Sequence, residues 1–306
     1  MSALLSTSVV VPVRNGASTI RQTLTALMPV ATALPGTEVI VVDNGSTDRT
    51  REIVAGFDVT LLDEAKCGPS AARNRGLRAA KGDVVAHLDA DTLPTRHWLR
   101  ELVAPFADPK VMMTGGRTLT YRPETPAERY GAASGRSDPK TTVYREIFPF
   151  VPSENLAVRR EAALAVGGWA EDMIAGEDVD FCHRVQREHG CGIVYCPNAL
   201  VFHQNRSDDR ALRTQAWVYG QGAAHVYRRY PEVVRWDALK TANVARVMVG
   251  RATSAALGVI GRRLRLVSSE RAEFARYHSM WTWWWWRGFF SMYRSGEYRA
   301  APVRGS

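Results

Sequence analysis

Between residues 6 and 89, short apolar and β-branched runs alternate with stretches of helical periodicity, and this rhythm restricts the fold more than any other feature. STSVVVPV, TEVIVVD, VTLLD and DVVAHLD read as strands, while TIRQTLTALM, STDRTREIVAGF and PSAARNRGLRAAKG between them read as helices. In the first helix Ile20, Leu24, Leu27 and Met28 share one face. Strands that are apolar almost throughout are buried on both sides, as a parallel sheet is when helices cover each face. The expected class is therefore α/β, with a Rossmann-like, mostly parallel central sheet flanked by helices. Such sheets bind ligands beyond the carboxyl ends of their strands. Val13-Arg14-Asn15, Asp43-Asn44 and Asp89-Ala90-Asp91 all fall there.

The pattern loosens after about residue 115. Residues 119–152, rich in proline, glycine and charge, are expected to form substrate-shaping loops rather than core elements. VRREAALAVGG then reads as a helix ended by glycine, EDVDFCHRVQREHG as another helix, and CGIVYCPNALVFH as one or two strands. The expected domains are 1–210, with halves at about 1–116 and 117–210, and a helical, basic, Trp-rich region at 211–306. Charge supports that division. The net charge is +9, yet residues 211–306 hold 16 Lys and Arg against 5 Asp and Glu, leaving 24 against 26 in residues 1–210. Basicity belongs to the tail, and its tryptophans are contiguous rather than spaced as stacking positions along a groove, which excludes a nucleic-acid reading.

Asp89 and Asp91 lie at a strand end, where oxygen ligands suit Mg²⁺ or Mn²⁺ held against a diphosphate. A lone D-x-D is common in a chain of this size, so its surroundings must carry the argument. Four cysteines, with an amino terminus that lacks a basic leader, give the expectation of a reducing, cytoplasmic setting. Cys182, His183, His189, Cys191, Cys196 and His203 crowd together in sequence, but no paired C-x-x-C supports structural zinc.

VVVPVRNGASTIRQTL, VIVVDNGSTDRT, GPSAARNRGL, GDVVAHLDADTLP, ENLAVRREAALAVGGW, GEDVDFCHRV and VFH, in this order, resemble the family 2 glycosyltransferases of the GT-A fold over roughly residues 6–225. The resemblance implies an inverting enzyme that moves a sugar from a nucleoside diphosphate to a hydroxyl acceptor. Asp43 looks like the carboxylate that accepts from the nucleobase, with Pro12, Val13 and Arg14 lining the nucleoside; Asp48 reads as a helix cap. Arg73 corresponds to an arginine near the nucleotide, on a helix opened by Gly68. Asp89 and Ala90 are implied at the ribose and sugar. Asp91 is implied as the metal ligand, and His203 as a further one. Asp178 of the Glu177-Asp178 pair resembles the general base, since displacement needs a carboxylate opposite the leaving diphosphate; Asp180 is read as structural. Gly168 and Trp169 resemble a glycine-aromatic turn that packs against sugar or acceptor, although core packing explains the tryptophan as well. The expected cofactor is a divalent metal, Mn²⁺ or Mg²⁺. UDP and dTDP donors stand ahead of GDP, and the acceptor class is a lipid-linked or cell-envelope glycan. Two other readings are weighed: a scaffold subunit on the same fold, which the retained carboxylates count against, and a sugar-phosphate nucleotidyltransferase, for which VPVRNGAST lacks the glycine density.

The run WTWWWWRGFFSMYR and the tail's charge of +11 suggest peripheral contact with an anionic membrane surface. The uncharged run 252–261 is too short to span a bilayer, so no transmembrane segment is expected. The competing reading packs these tryptophans on the catalytic domain or on a second copy of the chain.

Overall fold

The computed structural model describes residues 5–136, 138–234 and 238–301. The first four residues of the leader reading, Ser137 in the expected loop region, and 235–237 and 302–306 of the basic tail lie outside them. The chain divides into two compact units. One takes in residues up to Tyr121, Arg136–Asp172 and Glu177–Gln204; the other comprises Arg122–Gly135, Met173–Gly176 and the described residues from Asn205 on.

In the first unit, strands β1 (Thr7–Val13), β2 (Thr37–Asp43), β3 (Thr60–Asp63), β4 (Val84–His87), β5 (Thr92–Pro94), β6 (Met113–Thr120), β7 (Leu156–Arg159) and β8 (Ile193–His203) form one sheet in the order β3-β2-β1-β4-β7-β6-β8-β5. Its first four positions are parallel; β7 then runs antiparallel to both β4 and β6, and β5 antiparallel to β8. The mixed half is the part of the chain where the alternation of strand and helix gives way to longer connections. Val9, Val11 and Val13 enter one hydrophobic cluster with Ile20, Leu24 and Leu27 of α1 (Ile20–Thr32). Val10, on the opposite face, joins Ala72 and Leu77 of α3 (Pro69–Ala79), beyond the short α2 (Thr50–Val54). Consecutive side chains of one strand thus feed both layers, which is why the strands read as unbroken apolar runs. α4 (Trp98–Val103) covers the first face; α6 (Arg160–Ala165) and α7 (Glu177–His189) cover the second.

Two local devices interrupt the hydrogen-bond ladders of the sheet. The Val10 carbonyl accepts from the Leu88 N–H at 3.2 Å; two residues on, along the same edge, Pro12 has no N–H to offer, and β1 and β4 part. CGIVYCPNALVFH forms a single strand, β8, whose register against β6 jumps from Gly116↔Cys196 to Arg117↔Leu200. The extra residues 197–199 leave carbonyls outside the ladder. The Asn155 amide fills this gap, donating to the Arg117 and Ala199 carbonyls at 3.0 Å each and accepting from Trp98 Nε1 at 2.7 Å.

The second unit is helical: α5 (Pro126–Ser134), α8 (Asp209–Arg229), α9 (Ala238–Arg263) and α10 (Ser269–Ser295). α5 lies within the stretch expected to be loop, and Thr125 begins it with a complete capping box closed by Glu128. α8 and α10 meet backbone to backbone. A Cβ on Gly288 would fall well inside contact distance of the Trp217 carbonyl, and one on Gly220 would meet that of Trp285. α9 runs on through Arg246 and Arg251, beyond the uncharged run 252–261, and Lys240–Arg263 is long and apolar enough, by length and composition alone, to cross a membrane.

At Gly288 two effects oppose each other. Alanine gains about 1 kcal/mol of helix propensity, whereas overpacking a closed helix contact costs roughly 1–3 kcal/mol. Gly288→Ala is therefore expected to lower the thermal unfolding midpoint. Gly250→Ala on α9, where a Cβ meets nothing within 4 Å, should leave it unchanged or raise it. Equal midpoints for the two variants would contradict the close crossing.

Candidate active site

The site is organised around a buried guanidinium. Arg73 projects from α3, is 4% exposed, and donates to Asp89 Oδ1 at 3.0 Å and to Glu177 Oε1 at 3.1 Å. One arginine therefore ties the loop after β4 to the first residue of α7. Its planar fork suits two carboxylates better than a lysine would. Below it lies Trp169, with the guanidinium carbon 5.1 Å from the ring centroid.

Asp91 and His203 are joined by strand pairing. β5 and β8 align Thr92 with His203, which brings Asp91 Oδ1 to 3.4 Å from His203 Nε2. Burial disfavours the imidazolium, but Asp91, Glu154 and Asp89 outweigh it and hold the His203 pKa up at about 9. Burial, with Asp89 and Asp91 nearby, pushes Glu154 up to about 7. Asp178 is raised above the ordinary carboxylate range by burial and by the Glu177 charge beside it. Asp180, two residues further along α7, is buried in an ion pair with Arg184 at 2.7 Å.

A second cluster lies at the ends of β1 and β2. Asp43 is 3% exposed; its Oδ2 accepts from Arg51 at 3.1 Å, and Arg51 also pairs with Asp63. The Ser46 N–H lies 3.3 Å from Asp43 Oδ1, so the turn and the ion pair both fix this carboxylate. Asp48, one position before the N-cap Arg49 of α2, accepts from the N–H groups of Ala17 and Thr50 and so belongs to the turn that opens this helix. The Val13 side chain lies in the core and its carbonyl accepts from Asn44, so only part of its backbone is left for a ligand. Arg14 is exposed and donates to Cys67 Sγ at 3.1 Å; Pro12 is half-buried. Gly68 precedes α3 with its N–H on Asn44 Oδ1 at 2.8 Å, and the Ala90 carbonyl accepts from Thr23.

The profile described as "Glycosyl transferase family 2" matches residues 8–166, a range that includes Asp43, Arg73, Asp89 and Asp91. The chain belongs to glycosyl transferase family 2. A "Pre-mycofactocin glycosyltransferase" of Mycobacterium tuberculosis is 37% identical over 239 residues, covering 74% of this chain and 48% of its own length. "Glycosyltransferase AglE" of Haloferax volcanii is 30% identical over 234 residues, covering 74% of this chain and 75% of its own. The chain thus spans about half the length of the first of these relatives. Among solved structures, a Pyrobaculum calidifontis mannosyltransferase in complex with GDP-Man and Mn²⁺ superposes with a TM-score of 0.65 at 21% identity, over 97% of this chain and 89% of that one. A glucosyl-3-phosphoglycerate synthase of Mycobacterium tuberculosis in complex with Mg²⁺ and UDP superposes at 0.55 and 19% identity, over 76% and 81%. The shared fold is GT-A.

Within this family 2 site, the glycine-aromatic turn departs from the sequence expectation. Trp169 is 2% exposed, stacked on Phe181 at 4.2 Å, covered by the Arg73 guanidinium and T-shaped to His87, so the ring is closed to a sugar. Gly168, at φ 73°, is pressed against Asn74, whose side chain accepts from the Trp169 N–H at 2.8 Å and donates to its carbonyl at 2.9 Å. The turn is clamped to α3 and supports Arg73 from beneath. A glycine-aromatic pattern cannot reveal which way its ring points; packing decides that.

Three residues escaped the sequence reading. Arg51 lies eight positions after Asp43, and its only sequence signal is a basic residue in the first turn after the strand-end acid. Glu154 is a carboxylate directly ahead of the apolar β7. Asn74 sits beside Arg73 in GPSAARNRGL and gives no signal of its own.

Lysine at position 73 would keep the charge but not the two-carboxylate bridge. Arg73→Lys is expected to destabilise by about 1–3 kcal/mol, read in thermal unfolding. A midpoint equal to wild type would mean that the bridge contributes nothing.

Proposed function

We propose that the protein transfers a sugar, with inversion, from a nucleoside diphosphate-sugar to a hydroxyl acceptor, and that Asp178 is the general base. The observation that carries this reading is the Arg73 bridge, because it sets the donor-side carboxylate Asp89 beside the acceptor-side pair Glu177-Asp178. Direct displacement needs these two groups on one reacting centre. Asp178, held above the usual carboxylate range by burial and by Glu177, is suited to take a proton from a hydroxyl near neutral pH.

Asp91 and His203 would hold a divalent cation, Mn²⁺ or Mg²⁺. An oxygen and an imidazole nitrogen 3.4 Å apart can share one small ion while leaving positions for diphosphate oxygens. Bound there, the ion supplies neutralisation of the charge on the departing diphosphate. The GDP-Man and Mn²⁺ of the mannosyltransferase complex, and the UDP and Mg²⁺ of the synthase complex, support a donor and metal of these classes. Asp43, fixed by Arg51, reads the base, and we favour UDP or dTDP over GDP. The acceptor we propose is a lipid-linked saccharide or cell-envelope glycan, met at the cytoplasmic face of the membrane; the charge of +11 on residues 211–306 supports an anionic lipid surface as a partner.

Calorimetry with UDP, dTDP and GDP, each with and without Mn²⁺, tests the donor half. One nucleotide should bind only with metal, and Asp91→Ala should lose that binding; failure of all three to bind would favour a scaffold subunit. Asp178→Asn should lower kcat by at least a hundredfold with nucleotide affinity retained, and near-normal turnover would remove Asp178 as the base.

The raised pKa of Asp178 fixes the sign of the pH dependence. A base with an elevated pKa remains protonated to higher pH, so the acid limb of kcat/KM should lie near neutrality rather than near pH 4. Glu177→Gln removes the neighbouring negative charge and should move that limb down by about a unit. An unmoved limb would assign it to another group.

A further inference from the structure

We propose that α9 docks the helical unit on an anionic lipid surface and lies in the plane of the interface instead of crossing it. This rests on the membrane partner proposed above and names the element that makes the contact. The tryptophan run is largely engaged elsewhere. Trp281 is 7% exposed, Trp285 stacks on Phe289, and Trp284 meets Trp217 of α8 edge to face. Trp283 is the member of the run that stands exposed, at 51%.

α9 presents the opposite picture. Val244, Met248, Ala255 and Gly258, at i, i+4, i+11 and i+14, form its covered stripe, with Gly258 against Ala272 and Ala275 of α10. Val249, Leu257 and Ile260 fall at i, i+8 and i+11, about half a turn of the helical wheel away from that stripe, and each is more than half exposed; Leu264, in the turn directly after α9, is 63% exposed as well. Single exposed leucines are ordinary; an aligned row of large aliphatic side chains is not.

Charge indicates what covers the row. Residues 238–269 contain no Asp or Glu, and they carry Lys240, Arg246, Arg251, Arg262, Arg263 and Arg265. Arg246, three residues before Val249, lies on the same side of the helix as the row, and a basic segment without carboxylates is complementary to an anionic headgroup layer. A second copy of α9 would bring the same cations together with no carboxylate from this segment between them. Crossing is disfavoured although the 26-residue helix, roughly 39 Å long, could span. Arg246 and Arg251 would enter the hydrocarbon, and α10, packed along α9, would carry Glu270, Arg271, Glu273 and Arg276 with it.

Flotation of the full chain with vesicles tests the proposal. Wild type should float with vesicles of phosphatidylglycerol and phosphatidylcholine and remain unbound with phosphatidylcholine alone. The double variant Leu257→Glu with Ile260→Glu should cut the bound fraction at least tenfold, with thermal unfolding unchanged, whereas Trp283→Ala should float as wild type does. The proposal fails if wild type does not float, if the double variant floats unchanged, if Trp283→Ala alone abolishes binding, or if bound protein resists alkaline carbonate extraction as a spanning helix would. Self-association through α9 without lipid binding would also overturn it. Nucleotide calorimetry on the same samples separates the outcomes: intact metal-dependent binding without flotation removes the docking proposal and leaves the transferase reading standing.

Discussion

Arg73 is the constraint on which the rest of the catalytic unit depends. Its charge is buried, and a buried guanidinium persists only where carboxylates and hydrogen bonds compensate its desolvation. Asp89 and Glu177 provide the carboxylates, and Trp169 provides an aromatic face below. The neighbouring residues then serve this arrangement. Gly168 brings the turn close enough for Asn74 to grip it, Phe181 supports Trp169, and burial with the adjacent Arg73 charge pushes His87 down to about 3, so it packs as a neutral ring. Asp89 in the loop after β4 and Glu177 at the start of α7 are held together by one side chain from a third element.

The crevice around this bridge arises from backbone chemistry. Pro12 cannot continue the β1–β4 ladder, so the strands part beyond Val10 and His87. On the far side of the sheet, the irregularity in β8 strands two carbonyls that Asn155 satisfies. The same amide fixes the backbone next to Glu154, which explains how a carboxylate is held among Asp89, Asp91 and His203 in spite of its desolvation cost. Glu154 is thus a consequence of how β6, β7 and β8 are joined.

In the helical unit the division of labour between aromatic and aliphatic residues reverses the expectation from composition. Trp281, Trp284 and Trp285 pack at the contact that Gly220 and Gly288 make possible, while the plainer sequence of α9 leaves Val247, Val249, Leu257, Val259 and Ile260 outside. A run of tryptophans suggests an interface to any reader of the sequence. Whether that interface is protein or lipid depends on which helix lies opposite, and nothing within the run records that.

The sequence by itself determined the βα alternation, the parallel start of the sheet, the α7 helix and the strand-end positions of Asp43, Asp89 and Asp91, because periodicity and chain direction are local properties. It also assigned Asp48 to a helix-opening turn and Asp180 to a structural role, since spacing on a turn or helix is local too. Tertiary structure alone decided that Arg73 joins two carboxylates 16 residues and 104 residues away, that β5 aligns Asp91 with His203, and that Trp169 faces inward. Those outcomes depend on which elements become neighbours and which face each one buries, and the energies that settle this are shared across the packed core.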